Sequence, residues 1–174
     1  MNKDFGVFVG RFSPMHIAHE IVIRHMIEIC GIENCMVVLG SSNASMSFRN
    51  LFSYEDRRGF LKKIFPDIQV VGIPDFPTDN EWLLALDDIL ALRGVDPKEA
   101  IFFGGCEEDI SFFLDAGRKY QIYNRFDGAT PKISATEVRD ALIQGRPLDN
   151  LLNPALMEDV KDCFAAKWEK FRKM

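Results

Sequence analysis

The chain has 174 residues, 47% of them apolar and 27% charged, with a formal net charge of −5. That length suits one domain with a substantial core, and the acidic balance excludes a general attraction to nucleic acid, so no such partner is expected. Met1 to Asp4 is polar, the apolar run behind it is too short for a secretory signal, and no stretch approaches the ~20 apolar residues of a spanning helix. Neither export nor a membrane partner is expected. Cys30, Cys35, Cys106 and Cys163 form no C-x-x-C pair and lack zinc-finger spacing, so they read as reduced thiols in a cytoplasmic protein.

In chain order, Phe5 to Val9 reads as a buried strand and Ala18 to Ile29 as an amphipathic helix. Met36 to Leu39 is a second strand, followed by a helix over Tyr54 to Ile64. Ile68 to Val71 is a third strand, with a helix over Glu81 to Leu92. Ile101 to Phe103 and Tyr120 to Tyr123 are the fourth and fifth strands, on either side of a helix over Glu107 to Ala116. After Thr130-Pro131 come helices over Thr136 to Gln144 and Pro154 to Phe171, with Pro154 suited to a first turn. This alternation predicts an α/β fold: a Rossmann-like, doubly wound, parallel five-stranded sheet with helices on both faces and C-terminal helices appended. Residues 1–174 form a single domain on this reading, with a parallel core over 1–130 and a helical C-terminal part over 131–174.

Ligands of such sheets bind beyond the carboxyl ends of the strands. The residues there are Gly10-Arg11-Phe12, Gly40-Ser41-Ser42, Pro74-Asp75 and Gly104-Gly105. The strongest local feature is the run Gly10-Arg11-Phe12-Ser13-Pro14-Met15-His16-Ile17-Ala18-His19. It passes from a buried strand through a loop into a helix, whose N-terminal N–H groups and dipole favour a phosphate. His16 and His19 are three apart and share one helix face. Imidazole donates to phosphate oxygens whether neutral or charged, and Arg11 adds a guanidinium fork. Zinc is the competing use of two such histidines, but no third ligand is apparent, so no metal site is predicted.

This run resembles the G-R-F-x-P-x-H-x-G-H signature of the nucleotidyltransferase superfamily. The second superfamily signature, I-S-x-T-x-x-R, is matched by Ile133-Ser134-Ala135-Thr136-Glu137-Val138-Arg139. Ser134 and Thr136 are also N-cap residue types. Their hydroxyls, the first-turn N–H groups and Arg139 one turn on suit the ATP β- and γ-phosphates.

Within the superfamily, the chain most resembles the archaeal-type nicotinamide-nucleotide adenylyltransferases. Arg11-Phe12 follow that pattern, where other branches usually carry F-D. Gly40-Ser41-Ser42-Asn43-Ala44-Ser45 and Asn50-Leu51-Phe52-Ser53-Tyr54-Glu55-Asp56-Arg57 resemble two further family stretches. So do Ile73-Pro74-Asp75 with Trp82, and Asn124-Arg125 before the second motif. The resemblance implies an acceptor site of Ser41, Arg49, Asp75, Asp79, Asn80 and Trp82, with the Trp82 ring stacked on the base. It implies an ATP site of Gly10, Arg11, Phe12, His16, His19, Gly104, Arg125, Ser134, Thr136 and Arg139. Four positions depart from the pattern. Ala18 replaces the motif glycine where adenosine packs closely, Met15 an aromatic, and Leu51 a proline. Asp79 stands where an asparagine is usual, with Asn80 beside it as the alternative reader of the carboxamide.

The implied reaction is attack by an acceptor phosphate oxygen on the α-phosphorus of ATP, with pyrophosphate leaving. His16, His19 and Arg139 would be catalytic, through positioning and charge stabilisation. Mg²⁺ would travel with the substrate phosphates rather than in a carboxylate cage. ATP and nicotinamide mononucleotide (NMN) are the expected small-molecule partners. A homo-oligomer follows from family habit alone. Three alternatives stay open: another phosphate acceptor (nicotinate mononucleotide, phosphopantetheine or a polyol phosphate), a non-catalytic nucleotide sensor suggested by Ala18, and a fragment of an aminoacyl-tRNA synthetase. The chain is short and acidic for the last.

Overall fold

Short Val-, Ile- and Phe-rich runs make five strands: β1 (Gly6–Gly10), β2 (Cys35–Leu39), β3 (Gln69–Gly72), β4 (Ile101–Gly104) and β5 (Lys119–Ile122). The computed structural model describes residues 3–123 and 132–174. All pairings are parallel, in the order β3-β2-β1-β4-β5, with Gly6 opposite both Cys35 and Ile101. The helices are α1 (Ile17–Cys30), α2 (Tyr54–Ile64), α3 (Asp79–Ala91), α4 (Glu107–Asp115), α5 (Ala135–Gln144) and α6 (Pro154–Arg172). Strand order reverses direction at β1 and β4, which makes the carboxyl end between them the topological switch point.

Both sheet faces are apolar, as a parallel sheet covered on both sides requires. Phe8, Val37, Leu39 and Phe103 face one core with Val22 and Met26 of α1 and Phe60 and Leu61 of α2. Val7, Met36, Val38 and Phe102 face the other, with Leu86 and Leu90 of α3 and Phe113 of α4. Each such side chain, fully buried, contributes roughly 1.5–3 kcal/mol. Gly6 is required where α1 lies on β1, since a Cβ there would sit 2.7 Å from Met26 Cγ.

The C-terminal helices are less separate than the sequence suggests. Val138 and Ala141 of α5 and Leu156, Val160 and Phe164 of α6 belong to the same core as Phe8 and α1. Lys63 and Asp159 pair at 2.7 Å, and Lys167 reaches Asp56 at 3.4 Å, fastening α6 to α2. One acid and one base of α6 are thus both paired with α2. Helix α3 begins two residues before the sequence expectation. Thr78 caps it, with Thr78 Oγ1 accepting from Glu81 N at 3.2 Å and Glu81 Oε2 accepting from Thr78 N at 3.2 Å. Asp79 and Asn80 thus stand on a first helical turn.

Candidate active site

The loop after β1 is short and strained. Phe12 has φ 51°, and Ser41, in the equivalent place after β2, has φ 52°. Such left-handed non-glycine residues cost of order 1–3 kcal/mol each and persist where surroundings hold them. The Phe12 ring is buried, edge-on to Phe8 at 5.0 Å and 4.4 Å from the His19 ring. Its ring therefore supports His19, and a ligand beyond β1 would meet Phe12 through its backbone. Ser41 is held at both ends. Its Oγ donates to Asp75 Oδ1 at 2.8 Å, and its carbonyl accepts from Arg57 Nη2 at 3.3 Å.

His16 and His19 cap α1 reciprocally. Nδ1 of His19 accepts from His16 N at 3.2 Å, Nδ1 of His16 accepts from His19 N at 3.4 Å, and the rings stack at 3.6 Å. With both Nδ1 atoms accepting, the neutral rings carry their protons on Nε2. Each can therefore offer an N–H to an oxyanion without being charged. His16 is only 2% exposed, while His19 is half-buried. His19 is thus the member of the pair with surface to offer a ligand.

The start of α1 is partly engaged. Ile17 N donates to Leu151 O at 2.9 Å, and the amides of His16 and His19 are taken by the two rings. The C-terminal segment and the histidines thus satisfy three amides of this helix end. Side chains beside it supply further donors.

Those side chains are arginines from three places in the sequence. Arg139 on α5 is 4% exposed. Its Nη1 donates to Ser13 O at 2.6 Å and its Nη2 to Thr136 Oγ1 at 3.2 Å, and its guanidinium lies 5.0 Å from the Phe48 ring centroid. Burial, then the charges of Arg49 and Arg11, push its pKa down against the opposing pull of Asp140. Arg11 is likewise lowered by burial and by Arg49, with Asp75 opposing. The Arg49 charge thus acts on both Arg11 and Arg139, and the Arg11 charge on Arg139, and positive charges gathered this way favour an anion among them. The two sequence motifs, 126 residues apart at the Ser13–Arg139 contact, meet directly.

Two cavities flank the carboxyl ends of the strands. One of about 740 Å³ opens between the first turns of α4 and α5, lined by Cys106, Glu107, Lys132 and Ser134 among others. Ser134 caps α5, its Oγ accepting from Glu137 N at 3.1 Å. The other, about 330 Å³, is lined by Asp75, Asp79, Trp82, Asp109 and Phe112 among others. Trp82 is half-buried and edge-on to Phe112 at 5.6 Å. It is both a core-facing residue and a pocket wall. Asn80, one position past Asp79, is exposed and does not line this cavity.

Other predicted positions resolve differently. Gly10 O accepts from Gly40 N at 2.9 Å, joining the ends of β1 and β2. Gly104 lines neither cavity. A Cβ there would lie 2.8 Å from Asp109 Cβ and Ile110 Cγ2, so this glycine is needed for α4 to pack on β4. Arg125 lies outside the described residues. Ala18 is wholly buried among core side chains. Its methyl packs in the core rather than on the surface of the site.

Arg57 was not anticipated as part of the site. It is 3% exposed, and its Nη1 donates to Arg11 O at 2.9 Å and Gly40 O at 2.8 Å. Burial, then the Arg11 charge, lowers its pKa. A signal existed: Arg57 stands three and four residues before Phe60 and Leu61, on the apolar face of α2, where a charge needs acceptors.

Residues 7–141 match the cytidylyltransferase-like family. The chain belongs to that family. Its relatives include the nicotinamide-nucleotide adenylyltransferase of Pyrococcus abyssi, 25% identical over 167 residues, covering 90% of this chain and 82% of the relative. The enzyme of the same name from Thermococcus sibiricus is 26% identical over 164 residues, with 90% and 83% coverage. Among solved structures, a bifunctional NMN adenylyltransferase/ADP ribose pyrophosphatase from Francisella tularensis, complexed with AMP and manganese ion, superposes with a TM-score of 0.78 at 17% identity. It matches 97% of this chain, which spans about half of that longer protein. At that identity the likeness establishes the fold. Arg11 and the histidine pair follow the carboxyl end of β1, beside the switch point.

Proposed function

We propose that the protein is an adenylyltransferase moving AMP from ATP to NMN, giving NAD and pyrophosphate. The observation that carries this reading is the convergence of Arg11, Arg49 and Arg139 beside the stacked histidines, which brings the two motifs into one anion-binding region. The names of the curated relatives support NMN as the acceptor. So does the cavity walled by Asp75 and Trp82.

In the reaction, an oxygen of the NMN phosphate attacks the α-phosphorus of ATP. A new P–O–P bond forms, and the bond from the α-phosphorus to the bridging oxygen of the β-phosphate breaks. The electron pair leaves with pyrophosphate. The nucleophile is already an anion near neutral pH, so no strong base is needed. Catalysis rests on alignment and on donors fixed before charge builds. His19, backed by His16 and Phe12, offers Nε2–H to the α-phosphate. Arg11 and Arg49 hold acceptor and nucleotide phosphates together against their mutual repulsion. Arg139 takes the departing pyrophosphate, and because Phe48 covers it, binding of the nucleotide moves Phe48 aside. Ser134 and Thr136 position that end of α5, and the adjoining 740 Å³ cavity has room for the nucleoside. Mg²⁺, held by the substrate phosphates rather than by protein carboxylates, would supply positive charge to offset that of the leaving pyrophosphate. Among the described residues, no three His, Cys, Asp or Glu side chains gather to cage a metal. No described helix is long and apolar enough to cross a membrane, and we place the enzyme in the cytoplasm with its substrates.

The test is pyrophosphate release from the purified protein with ATP and Mg²⁺, across NMN, nicotinate mononucleotide, phosphopantetheine and glycerol-3-phosphate, with CTP replacing ATP in parallel. Release with ATP and NMN is expected. Release only with CTP or only with a non-pyridine acceptor would overturn the reading.

A further inference from the structure

We propose that Asn153, acting through Glu20, is a positioning residue for His19: its side chain ties the loop before α6 to the first turn of α1, on which the histidine pair is built. The inference rests on the adenylyl-transfer reading above and adds the means by which its histidines are held.

Glu20 follows His19 and is 6% exposed. A carboxylate so buried persists only where donors face it. Among the described residues it accepts one hydrogen bond, from Asn153 Nδ2 at 2.9 Å to Oε1, while Oε2 has none. Arg24, its side chain largely exposed, stands 3.7 Å from Oε1, too far for a hydrogen bond. The Asn153 amide has one workable orientation. Its Oδ1 accepts from Ala155 N at 2.9 Å, capping α6, and this turns the amide nitrogen toward Glu20; the flipped amide would set oxygen against carboxylate. Two residues earlier, Leu151 O accepts from Ile17 N at 2.9 Å. The loop therefore holds α1 at Ile17 and at Glu20, on either side of His19 in the chain. It is itself fixed: Leu148 and Leu152 are buried, and Leu148 O accepts from Leu151 N at 2.9 Å and from Leu152 N at 3.0 Å. The two ring-to-amide bonds that orient the histidines are long, 3.2 and 3.4 Å, and exist only while the first turn of α1 stays wound. Helix ends fray readily. Tied at both sides, this turn keeps the His19 ring in place before substrate arrives, which is what alignment and preset donors require.

Asn153→Asp tests this in the full chain. Aspartate caps a helix as well as asparagine does, but its carboxylate repels Glu20 instead of donating to it. At saturating ATP and NMN, well below the unfolding temperature, kcat should fall about tenfold, inside the ~10²-fold that a displacement of about 1 Å can cost, with KM for both substrates within about twofold. Adding Glu20→Gln reverses the bond, because the amide introduced at position 20 can donate to the carboxylate introduced at position 153. That double variant should recover kcat to within about threefold of wild type. An unchanged kcat in Asn153→Asp, a raised KM in its place, or no recovery in the double variant overturns the proposal. Asn153→Ser keeps a capping hydroxyl but is too short to reach Glu20, and it gives a readout that needs no turnover. Amide hydrogen exchange over residues 17–20 should quicken at least about fivefold, with residues 86–90 of α3, on the other sheet face, unchanged as the control. Equal exchange over residues 17–20 in variant and wild type overturns the tie. If the wild type releases no pyrophosphate from ATP with NMN, the transfer reading fails, and the exchange measurement decides the tie between Asn153 and Glu20 on its own.

Discussion

Arg57→Met keeps the apolar stem of Arg57 and removes its fork. The loss falls on two short charge-assisted hydrogen bonds, to Arg11 O at 2.9 Å and Gly40 O at 2.8 Å, and two longer ones, to Ser41 O and Ser53 O at 3.3 Å. Each short bond to a charged group is worth about 1.5–3 kcal/mol, and the carbonyls left behind in a buried setting lose their donor. Against this, the variant no longer desolvates a guanidinium, which offsets part of the loss. The net expectation is a destabilisation of about 3 kcal/mol, or a fall in Tm of roughly 6–12 °C for a chain of this size. Thermal unfolding followed by circular dichroism measures it. The loop carrying Arg11 and the strained Ser41 loses its clamp at the same time, so KM for the acceptor should rise in the folded variant at low temperature. A Tm within about 2 °C of wild type would show that these four bonds contribute little, and would refute the assignment of Arg57 as the clamp between the loops after β1 and β2.

Other expectations follow from the same geometry. His19→Ala removes the more exposed donor and should lower kcat by about 10²–10³-fold in pyrophosphate release; a change within about twofold would end its catalytic assignment. Trp82→Ala should raise KM for NMN more than it changes kcat, and an unchanged KM would remove Trp82 from the ring site. Asp56 is raised by burial, but its hydrogen bonds with Ser53 and the charge of Lys167 outweigh that and leave its pKa below the usual value. Its contribution to stability is therefore present above the unfolded carboxylate pKa of about 4 and lost as pH falls through the lower folded value. The Tm gap between wild type and Asp56→Asn should accordingly be full at neutral pH and close in strong acid. Burial, then Asp56, pushes the Cys163 thiol up to about 12, so iodoacetamide at pH 8 should alkylate it slowly.

The sheet was legible because its signal is redundant. Each strand is a short apolar run ending in small or polar residues, and each helix carries a stripe such as Val22, Met26 and Cys30. Boundaries moved where a cap decided them: Thr78 and Glu81 reach over two residues and draw Asp79 and Asn80 into α3. Both phosphate motifs were readable as residue types, and the structure joins them through Arg139 and Ser13. What a backbone amide or a methyl would do was not readable. The amides of α1 and the methyl of Ala18 are settled by what packs against them, namely Leu151 from the far end of the chain and a core completed by α5 and α6.

That difference has a physical cause with consequences for the site. A motif specifies which groups are present, while exposure depends on residues more than 100 positions away. Ile17 N is available to a ligand only if Leu151 is elsewhere, so the C-terminal segment helps decide how phosphate is held. With three amides at the start of α1 engaged, guanidinium and imidazole side chains carry more of the donor capacity beside β1. Burial and the Arg49 charge lower the pKa of both Arg11 and Arg139. On the proposed reading, a phosphate among these cations would offset their repulsion, and two phosphate-bearing substrates bound together would offset more of it than either alone, which is the condition that transfer between them requires.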